Sequence, residues 1–227
     1  MAEVRIIGKS ATGRPLFAVL VTEKCNDARQ LSRRPRLLVI SGQHGDEITP
    51  AAAVVDVMEM LAAGRPHSRL IRKAVFLFVP AANPDGLAAG SRTNSSGVDL
   101  NRDWKLQSQP ETASVAGLAM RFKPDVVLDM HEWTTCDRRA SNCIEIPGDK
   151  ITLAQRLSRA IACSITTDST RTPVHLSTVR YAPNADERLL HRWVAARGIS
   201  AMLVETTRRS SLQYRKATYM QAVLRTA

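Results

Sequence analysis

The segment Arg36-Leu-Leu-Val-Ile-Ser-Gly-Gln-His-Gly-Asp-Glu47 decides the predicted fold. Its first five residues form a short apolar run that is typical of a strand buried on both faces of a parallel sheet. The run stops at Ser41-Gly42, and over residues 47–63 apolar side chains recur near the 3.6-residue spacing of a helix, which Gly64 ends. The segment therefore predicts a strand, a tight turn and a helix in direct succession.

The same alternation of strands and helices continues along the chain. Further strands are predicted at residues 74–79, 125–130 and 199–204, and further helices at residues 110–122, 151–162, 184–197 and 211–225. Two runs near the start, residues 5–7 and 16–22, predict a hairpin-like pair at one edge of the sheet. Residues 80–104 show no apolar period and predict a long loop. Together these elements predict an α/β fold, a three-layer α/β/α sandwich with a mixed, mostly parallel central sheet, in a single domain over residues 1–227.

Three of the predicted strands end directly before side chains that bind metals or transfer protons. His44 and Glu47 follow the strand at residues 36–40, His131 follows the strand at residues 125–130, and Glu205 follows the strand at residues 199–204. In open α/β sheets, sites form in the crevice beyond the carboxyl ends of the strands. We therefore expect these four side chains to lie close together.

Two histidines and a glutamate form a donor set that suits catalytic zinc. Such a set leaves a fourth position for water, whereas structural zinc sites are closed and usually contain cysteine. His44 and Glu47 are three residues apart across a turn into a helix, so both side chains can reach one point. Each motif taken alone also has a plainer interpretation: Glu47 as an acidic residue that complements a helix dipole, and His131 as a hydrogen-bonded core histidine.

The loop Gly97-Val-Asp-Leu-Asn-Arg-Asp-Trp104 carries a second group of polar residues. Arg102 offers the planar fork that binds a carboxylate through two hydrogen bonds, and Asn101 beside it offers an amide that fixes the orientation. Asp99 is a candidate to accept the other ring proton of His44 and so to orient that imidazole. The alternative for Arg102 is a salt bridge within the loop, to Asp103.

Six segments of the chain resemble the zinc carboxypeptidases related to carboxypeptidase A, in that family's order and over nearly the whole chain. They are Gly8-Lys-Ser-Ala-Thr-Gly-Arg-Pro15, His44-Gly-Asp-Glu47, Asn83-Pro-Asp-Gly86, Gly97-Val-Asp-Leu-Asn-Arg102, Asp129-Met-His131 and Val204-Glu205-Thr206. The compact form is similar to bacterial members such as the murein peptide amidases. One departure is Glu132, which follows His131 where digestive members often have a serine.

The resemblance implies a metal centre and a catalytic base. It implies that His44, Glu47 and His131 bind one zinc ion and that Glu205 is the general base and acid. The implied activity is hydrolysis of a peptide or amide bond next to a free carboxylate, so the expected partner is a peptide or an amino-acid conjugate. Two alternatives stay open: a zinc acylase of the succinylglutamate desuccinylase and aspartoacylase type, and a non-catalytic peptide-binding protein with the same fold.

The resemblance also implies roles in substrate binding. It assigns the terminal carboxylate of the substrate to Asn101 and Arg102, and the polarisation of the scissile carbonyl to Arg92, within Ser91-Arg-Thr-Asn94. The family places a substrate-facing tyrosine before the catalytic glutamate, and Tyr181 is the candidate for this position, with Tyr214 as the second choice.

The composition of the chain bears on its binding partners, its location and the state of its cysteines. The chain of 227 residues has a formal charge of +11, from 32 Lys and Arg against 21 Asp and Glu, which favours anionic substrates. Its basic clusters lack interleaved aromatic residues, so we expect no nucleic-acid binding, and no apolar run approaches the roughly 18 residues of a membrane span. The start of the sequence lacks a secretory signal, so we expect a cytoplasmic protein. The four cysteines predict free thiols, with Cys136 and Cys143 as the only pair suited to a disulfide.

Overall fold

The computed structural model describes residues 2–24, 28–63, 69–134, 141–165, 176–182 and 186–227. The strands in these residues are β1 Ala2–Lys9, β2 Pro15–Val21, β3 Arg36–Ile40, β4 Val75–Val79, β5 Val126–Trp133, β6 Cys143–Pro147, β7 Ser177–Tyr181 and β8 Ser200–Thr207. The α-helices are α1 Ala28–Arg33, α2 Ile48–Ala62, α3 Leu70–Lys73, α4 Pro84–Ala89, α5 Pro110–Phe122, α6 Ile151–Ile165, α7 Leu190–Ala195 and α8 Leu212–Thr226. Two one-turn 3-10 helices lie at Leu100–Arg102 and Gly148–Lys150.

The strands form one mixed sheet in the order β1-β2-β4-β3-β5-β8-β6-β7. The central strands β4, β3, β5 and β8 are parallel, β1 and β2 form an antiparallel pair at one edge, and β6 joins β8 antiparallel and β7 parallel at the other. Helices α2, α6 and α8 pack on one face, and α5 and α7 pack on the other. The predicted three-layer α/β/α sandwich with a mixed, mostly parallel sheet is therefore confirmed.

The central strands are buried on both faces, as their apolar runs predict. Every residue of β4 is buried, with Phe76 and Phe78 in the core beneath α2 and α8, and Leu77 and Val79 in the core beneath α5 and α7. Burial of side chains of this size stabilises a fold by about 1.5–3 kcal/mol each.

No helix within the described residues has the length and apolar character that crossing a membrane requires.

The prediction of one long loop at residues 80–104 is wrong in part, because two short helical elements interrupt the loop. Asn83 accepts a hydrogen bond from the backbone N–H of Gly86 at 2.8 Å and so caps α4, which Gly90 ends with a left-handed φ of 61°. A one-turn 3-10 helix follows at Leu100–Arg102, where the Asp99 side chain accepts from a backbone N–H. Both elements are too short to show an apolar period in the sequence.

The short helices α1 and α3 are not predicted from the sequence, and the larger remaining differences lie between residues 131 and 207. The sequence predicts strands that end before His131 and Glu205, but β5 and β8 continue to Trp133 and Thr207 because they pair with each other along this length. The sequence shows no signal for β6 or β7. The predicted helix at residues 184–197 is shorter: residues 183–185 lie outside the described residues, Asp186 accepts the backbone N–H of Arg188 in a turn, and the helix itself is α7.

Asp85 ties the turn between β1 and β2 to the loop that follows α4. Its carboxylate accepts hydrogen bonds from the hydroxyls of Ser10 at 2.8 Å, Thr12 at 2.5 Å and Ser95 at 2.8 Å, and Arg14 lies 3.3 Å away. Burial alone would raise the pKa of Asp85, but these hydrogen bonds lower it below its usual range. The Gly8–Pro15 and Asn83–Gly86 segments therefore support each other structurally.

We expect Asp85→Asn to lower the free energy of unfolding by about 1–3 kcal/mol, because the new amide group faces hydroxyl donors and a buried charge-assisted network is lost. Since the folded-state pKa of Asp85 is lowered, its stabilisation is present above the unfolded pKa of about 4 and disappears as pH falls through the folded value. Urea unfolding at pH 7 and at progressively lower pH measures both effects. Asp149→Asn on the surface is the control, and an equal stability difference between wild type and Asp85→Asn at every pH would contradict the expectation.

Candidate active site

The turn between β3 and α2 brings His44 and Glu47 together, and β5 supplies His131 beside them. His44 Nδ1 lies 2.6 Å from Glu47 Oε1, and His131 Nδ1 lies 3.0 Å from Glu47 Oε2. All three side chains are buried, and one potential ligand atom from each lies within 4.8 Å of the others. Gly45 permits the close approach of this turn to α4, because a Cβ at that position would lie 1.9 Å from the backbone carbon of Gly86.

The far nitrogens of both imidazoles contact carboxylates. His44 Nε2 lies 2.9 Å from Asp99 Oδ1, and His131 Nε2 lies 3.0 Å from Asp129 Oδ1. Because an ionised carboxylate only accepts hydrogen bonds, each Nε2 would keep its proton with a cation bound, and each Nδ1 would then offer its lone pair to that cation. Each Nδ1 also faces an oxygen of Glu47, and two acceptor atoms this close repel each other unless a proton or a cation lies between them.

This donor set fits a divalent cation. Imidazole nitrogens and a carboxylate are the ligands of catalytic zinc, and carboxylates commonly hold the far nitrogens of zinc-binding histidines. Burial alone would raise the pKa of Glu47, but the neighbouring His131 and His44 lower it to about 2. The pKa of Asp99 is also lowered, against the effect of burial, by the hydrogen bond from His44 and the positive charge of Arg92. Both carboxylates are therefore ionised at neutral pH, and a cation between the nitrogens would neutralise part of their charge.

Glu205 lies beside this group on the neighbouring strand. It is directly opposite His131 in the parallel pairing of β5 with β8, so both side chains project from the same face of the sheet. Burial, together with the negative charge of Glu47 and Asp129 and against the attraction of His131, raises the pKa of Glu205 to about 7. A carboxyl group with a pKa near neutrality can both accept and return a proton.

Arg92 lies at the solvent side of the group. Its Nη1 is 3.5 Å from Glu47 Oε1 and its Nη2 is 3.0 Å from Asp99 Oδ2, while 45% of the side chain remains exposed. The guanidinium is thus held over the metal-capable residues by Asp99, and still faces the solvent from which a substrate would approach.

Asn101 and Arg102 follow Asp99 in the 3-10 helix and point in different directions. The Asn101 side chain is buried: its Nδ2 lies 3.2 Å from His131 Nε2, and its Oδ1 accepts the backbone N–H of Leu190 at 3.1 Å. Arg102 is exposed and donates to its neighbour's backbone carbonyl at 2.8 Å. The alternative salt bridge from Arg102 to Asp103 is not formed, because the Asp103 carboxylate instead accepts from side-chain and backbone groups at the start of α5.

The two candidate tyrosines lie on β7 and α8. The Tyr181 ring on β7 packs edge-on against His191, with a centroid separation of 5.5 Å, and beneath the Arg192 guanidinium at 4.9 Å. Tyr214 lies in the first turn of α8. The hydroxyl oxygen of each tyrosine is buried without a hydrogen-bond partner among the described residues. The substrate-facing role of Tyr181 stays a prediction.

The site also contains several polar residues that the sequence analysis does not single out. Gln43 lies 3.1 Å from His131 Nε2, and His191 on α7 contacts Asp129 and, through its other nitrogen, Glu145 on β6. The contacts of His191 and Glu145 connect elements 46 residues or more apart, so no local motif reveals them. The sequence offers one signal for a role of His191, which is that the chain has only five histidines.

Glu132 supports the same turn from the opposite face of the sheet. Its backbone N–H donates to Glu47 Oε2 at 2.9 Å, and its fully buried carboxylate pairs with Arg215 and Arg208. Arg208 also donates to the backbone carbonyl of Asp46. The residue that departs from the serine common in digestive enzymes therefore anchors α8 and the end of β8 to the Glu47 turn.

Of the cysteine pair, Cys143 is a buried free thiol, and Cys136 lies outside the described residues.

The chain belongs to the zinc carboxypeptidase family, whose sequence profile matches residues 1–134. It is 30% identical over 128 residues to Carboxypeptidase 2 of Trichophyton tonsurans, an alignment that covers 56% of this chain and 24% of that enzyme. The human Cytosolic carboxypeptidase 4 is 29% identical over 130 residues, covering 52% of this chain and 12% of that protein. The chain thus spans about a quarter or less of the length of these curated relatives.

Solved structures share the fold over almost the whole chain. The metallo-carboxypeptidase from Burkholderia cenocepacia superposes with a TM-score of 0.77 at 20% identity, covering 98% of this chain and 64% of that one. The murein-tripeptide amidase from Escherichia coli O157 superposes with a TM-score of 0.63 at 23% identity, covering 98% of this chain and 91% of that one. At these identities the likeness shows the fold, and the chemistry rests on the side chains described above.

Proposed function

We propose that this chain is a zinc-dependent hydrolase that cleaves a peptide or amide bond next to a free carboxylate, and that residues 1–227 act as one catalytic domain. The main support is the convergence of two imidazole nitrogens and the Glu47 carboxylate, with Glu205 on the adjacent strand. One zinc ion, held by His44, Glu47 and His131, would supply the Lewis acidity that activates water and polarises a carbonyl.

Two side chains of this site, Glu205 and Arg92, carry out the proton transfer and the charge stabilisation. Glu205, whose pKa is raised to about 7, takes the proton from the attacking water and returns it to the leaving amine. Arg92, 3.5 Å from Glu47 and half exposed, stabilises the negative charge that develops on the carbonyl oxygen. A donor in such a position typically contributes about 3–4 kcal/mol to the transition state.

The free carboxylate of the substrate is assigned to the 3-10 helix at Leu100–Arg102. Arg102 is exposed and carries the fork of donors that a carboxylate needs. The amide oxygen of the neighbouring Asn101 accepts the backbone N–H of Leu190, which fixes the position of this helix. Its amide nitrogen, beside His131, is the group that would contribute to carboxylate binding. The formal charge of +11 further favours anionic substrates.

A panel of matched substrates tests the function directly. A peptide with a free C-terminus, the same peptide with a C-terminal amide, a murein tripeptide, and N-succinyl and N-acetyl amino acids are incubated with zinc-loaded protein, and released products are identified by mass spectrometry. Cleavage of free-carboxylate peptides but not of the amidated one is the expected result. Release of amino acid from the N-acyl substrates alone would assign the chain to the acylases, and no hydrolysis of any substrate by zinc-loaded protein would favour the binding protein.

We expect Arg102→Gln to lower kcat/KM on the free-carboxylate peptide by about ten- to a hundredfold, mainly through KM, because a charge-assisted pair contributes about 1.5–3 kcal/mol to binding. Arg102→Lys keeps the charge but not the fork and should restore only part of this loss. Arg72→Gln, an equal charge change on an exposed residue paired with Glu23, is the matched control. Unchanged kinetics in Arg102→Gln would assign the carboxylate contact to another residue.

A further inference from the structure

A continuous row of charged side chains runs from His131 into the interior behind the metal-capable group. Asp129 Oδ1 lies 3.0 Å from His131 Nε2, and Asp129 Oδ2 lies 3.2 Å from His191 Nδ1. His191 Nε2 lies 3.1 Å from Glu145 Oε1, which Arg192 Nη2 contacts at 2.5 Å. Asp129 and His191 are 0% and 1% exposed, so this row lies in the core and not on the surface.

The row is balanced in charge. Each nitrogen of His191 faces a carboxylate, so each donates, and the imidazole carries a positive charge. Burial opposes that charge, but the hydrogen bonds to Asp129 and Glu145 raise the pKa of His191. With Arg192 added, two positive groups face two carboxylates, which is the condition under which buried charges are tolerated. Asp129 thus has one oxygen against each of two histidine nitrogens, Oδ2 against His191 Nδ1 and Oδ1 against His131 Nε2.

The position of Asp129 decides how His131 is oriented. Three groups surround His131 Nε2: Asp129 Oδ1, Gln43 Nε2 at 3.1 Å and Asn101 Nδ2 at 3.2 Å. The Gln43 amide is oriented by Trp104, whose Nε1–H donates to its oxygen at 2.6 Å, and the Asn101 amide is oriented by the Leu190 backbone N–H. Both amides thus present NH2 groups to the ring, and the Gln43 group also donates to Asp129 Oδ1 at 2.6 Å. Of these three neighbours, Asp129 alone can accept the Nε2 proton.

We propose that His191 is a positioning residue of the metal centre: it holds Asp129 as the acceptor of the His131 Nε2 proton and thereby directs the Nδ1 lone pair of His131 towards Glu47. The proposal rests on the zinc-binding function proposed above. His191 itself contacts neither the metal-capable atoms nor a substrate, and acts through Asp129. Glu145 and Arg192 hold His191 from the other side, so that its Nδ1 points at Asp129.

Two amide substitutions separate the contacts of His191. An asparagine side chain places its amide nitrogen near the position of the imidazole Nδ1, so His191→Asn keeps a donor to Asp129 and loses the one to Glu145. A glutamine side chain reaches the position of Nε2, so His191→Gln keeps the donor to Glu145 and loses the one to Asp129. A merely structural role for the buried imidazole predicts that both variants behave alike, whereas a positioning role predicts that they differ.

The readouts are zinc affinity by chelator competition, the visible absorption spectrum of the Co2+-substituted protein, and urea unfolding of the metal-free protein. His191→Gln should bind zinc about tenfold more weakly, the lower end of the range for outer-sphere partners of metal ligands, and should shift the Co2+ bands. His191→Asn should stay within about threefold of wild type with an unchanged spectrum. Equal zinc affinity and spectra in the two variants, at comparable unfolding stability, would overturn the proposal.

A measurement on the wild-type protein covers the case in which a variant does not fold. Long-range 15N–1H NMR of the zinc-loaded protein, labelled at histidine, should show His131 protonated at Nε2 alone and His191 protonated at both nitrogens. Metal on Nε2 of His131, or an unprotonated Nδ1 in His191, would overturn the proposal. A wild-type protein that binds no zinc would instead reject the proposed function, so the two failures are distinguishable.

Discussion

Glu205→Gln is expected to bind zinc as the wild-type protein does and to lose about 10²–10⁴-fold in kcat on the peptides that the wild type cleaves. The amide has the shape of the carboxyl group but cannot take a proton from water. Because Glu205 is held on β8 directly opposite His131, the substitution should change the chemistry without moving the strand. Zinc content, determined by elemental analysis, and steady-state kinetics on the same preparation measure the two properties together.

Two comparisons make this result specific to Glu205. Glu187→Gln removes the same charge at an exposed glutamate that pairs with Arg197, and should leave kcat unchanged. Glu205→Asp retains a carboxyl group but withdraws it by one methylene, so it should retain more activity than Glu205→Gln. A Glu205→Gln protein that is zinc-loaded and fully active would remove Glu205 from the proton-transfer step, and one that no longer binds zinc would place Glu205 among the ligands.

The sequence carries a strong signal for the metal-capable group because that signal is local. His44 and Glu47 stand in one turn directly after a buried apolar strand, and the structure joins both to His131 at the end of another. Parallel strands bring their carboxyl ends to the same edge of a sheet, so the position of each strand in the sequence is enough to predict this convergence. The same argument places Glu205 near the group, and the register of β5 with β8 sets it directly opposite His131.

The region between residues 131 and 205 lacks such local signals. β6 and β7 have five residues each, and β7 is largely half-buried or exposed, so neither shows the continuous apolar run of a central strand. The position of β6 depends on its pairing with β8, which is remote in sequence, and the position of β7 depends on its pairing with β6. The contacts of His191 with Asp129 and Glu145 depend in turn on that pairing and on α7, which is why the sequence predicts the ligands of the site but not the residues behind them.

The largest expected effect on metal binding is that of Glu47→Gln. Glu47 places one oxygen against the Nδ1 of each imidazole, so its carboxylate supplies a negative charge between the two nitrogens. Its replacement removes one of the three proposed ligands together with that charge, so zinc affinity should fall by more than the roughly hundredfold that loss of an outer-sphere partner costs. His131→Ala should have a comparable effect, because it removes another of the three ligands.

Thermal unfolding provides a readout that does not depend on activity. A ligand that binds only the folded state at about 1,000 times its Kd stabilises that state by about 4 kcal/mol, so a chelator should lower the Tm of the wild-type protein by several degrees. The same chelator should leave the Tm of Glu47→Gln unchanged, since that variant holds little zinc to lose. Glu59→Gln, on the exposed side of α2, should respond as the wild type does. If chelator shifted wild type and Glu47→Gln equally, zinc would be bound elsewhere on the chain, and the convergence of His44, Glu47 and His131 would need another explanation.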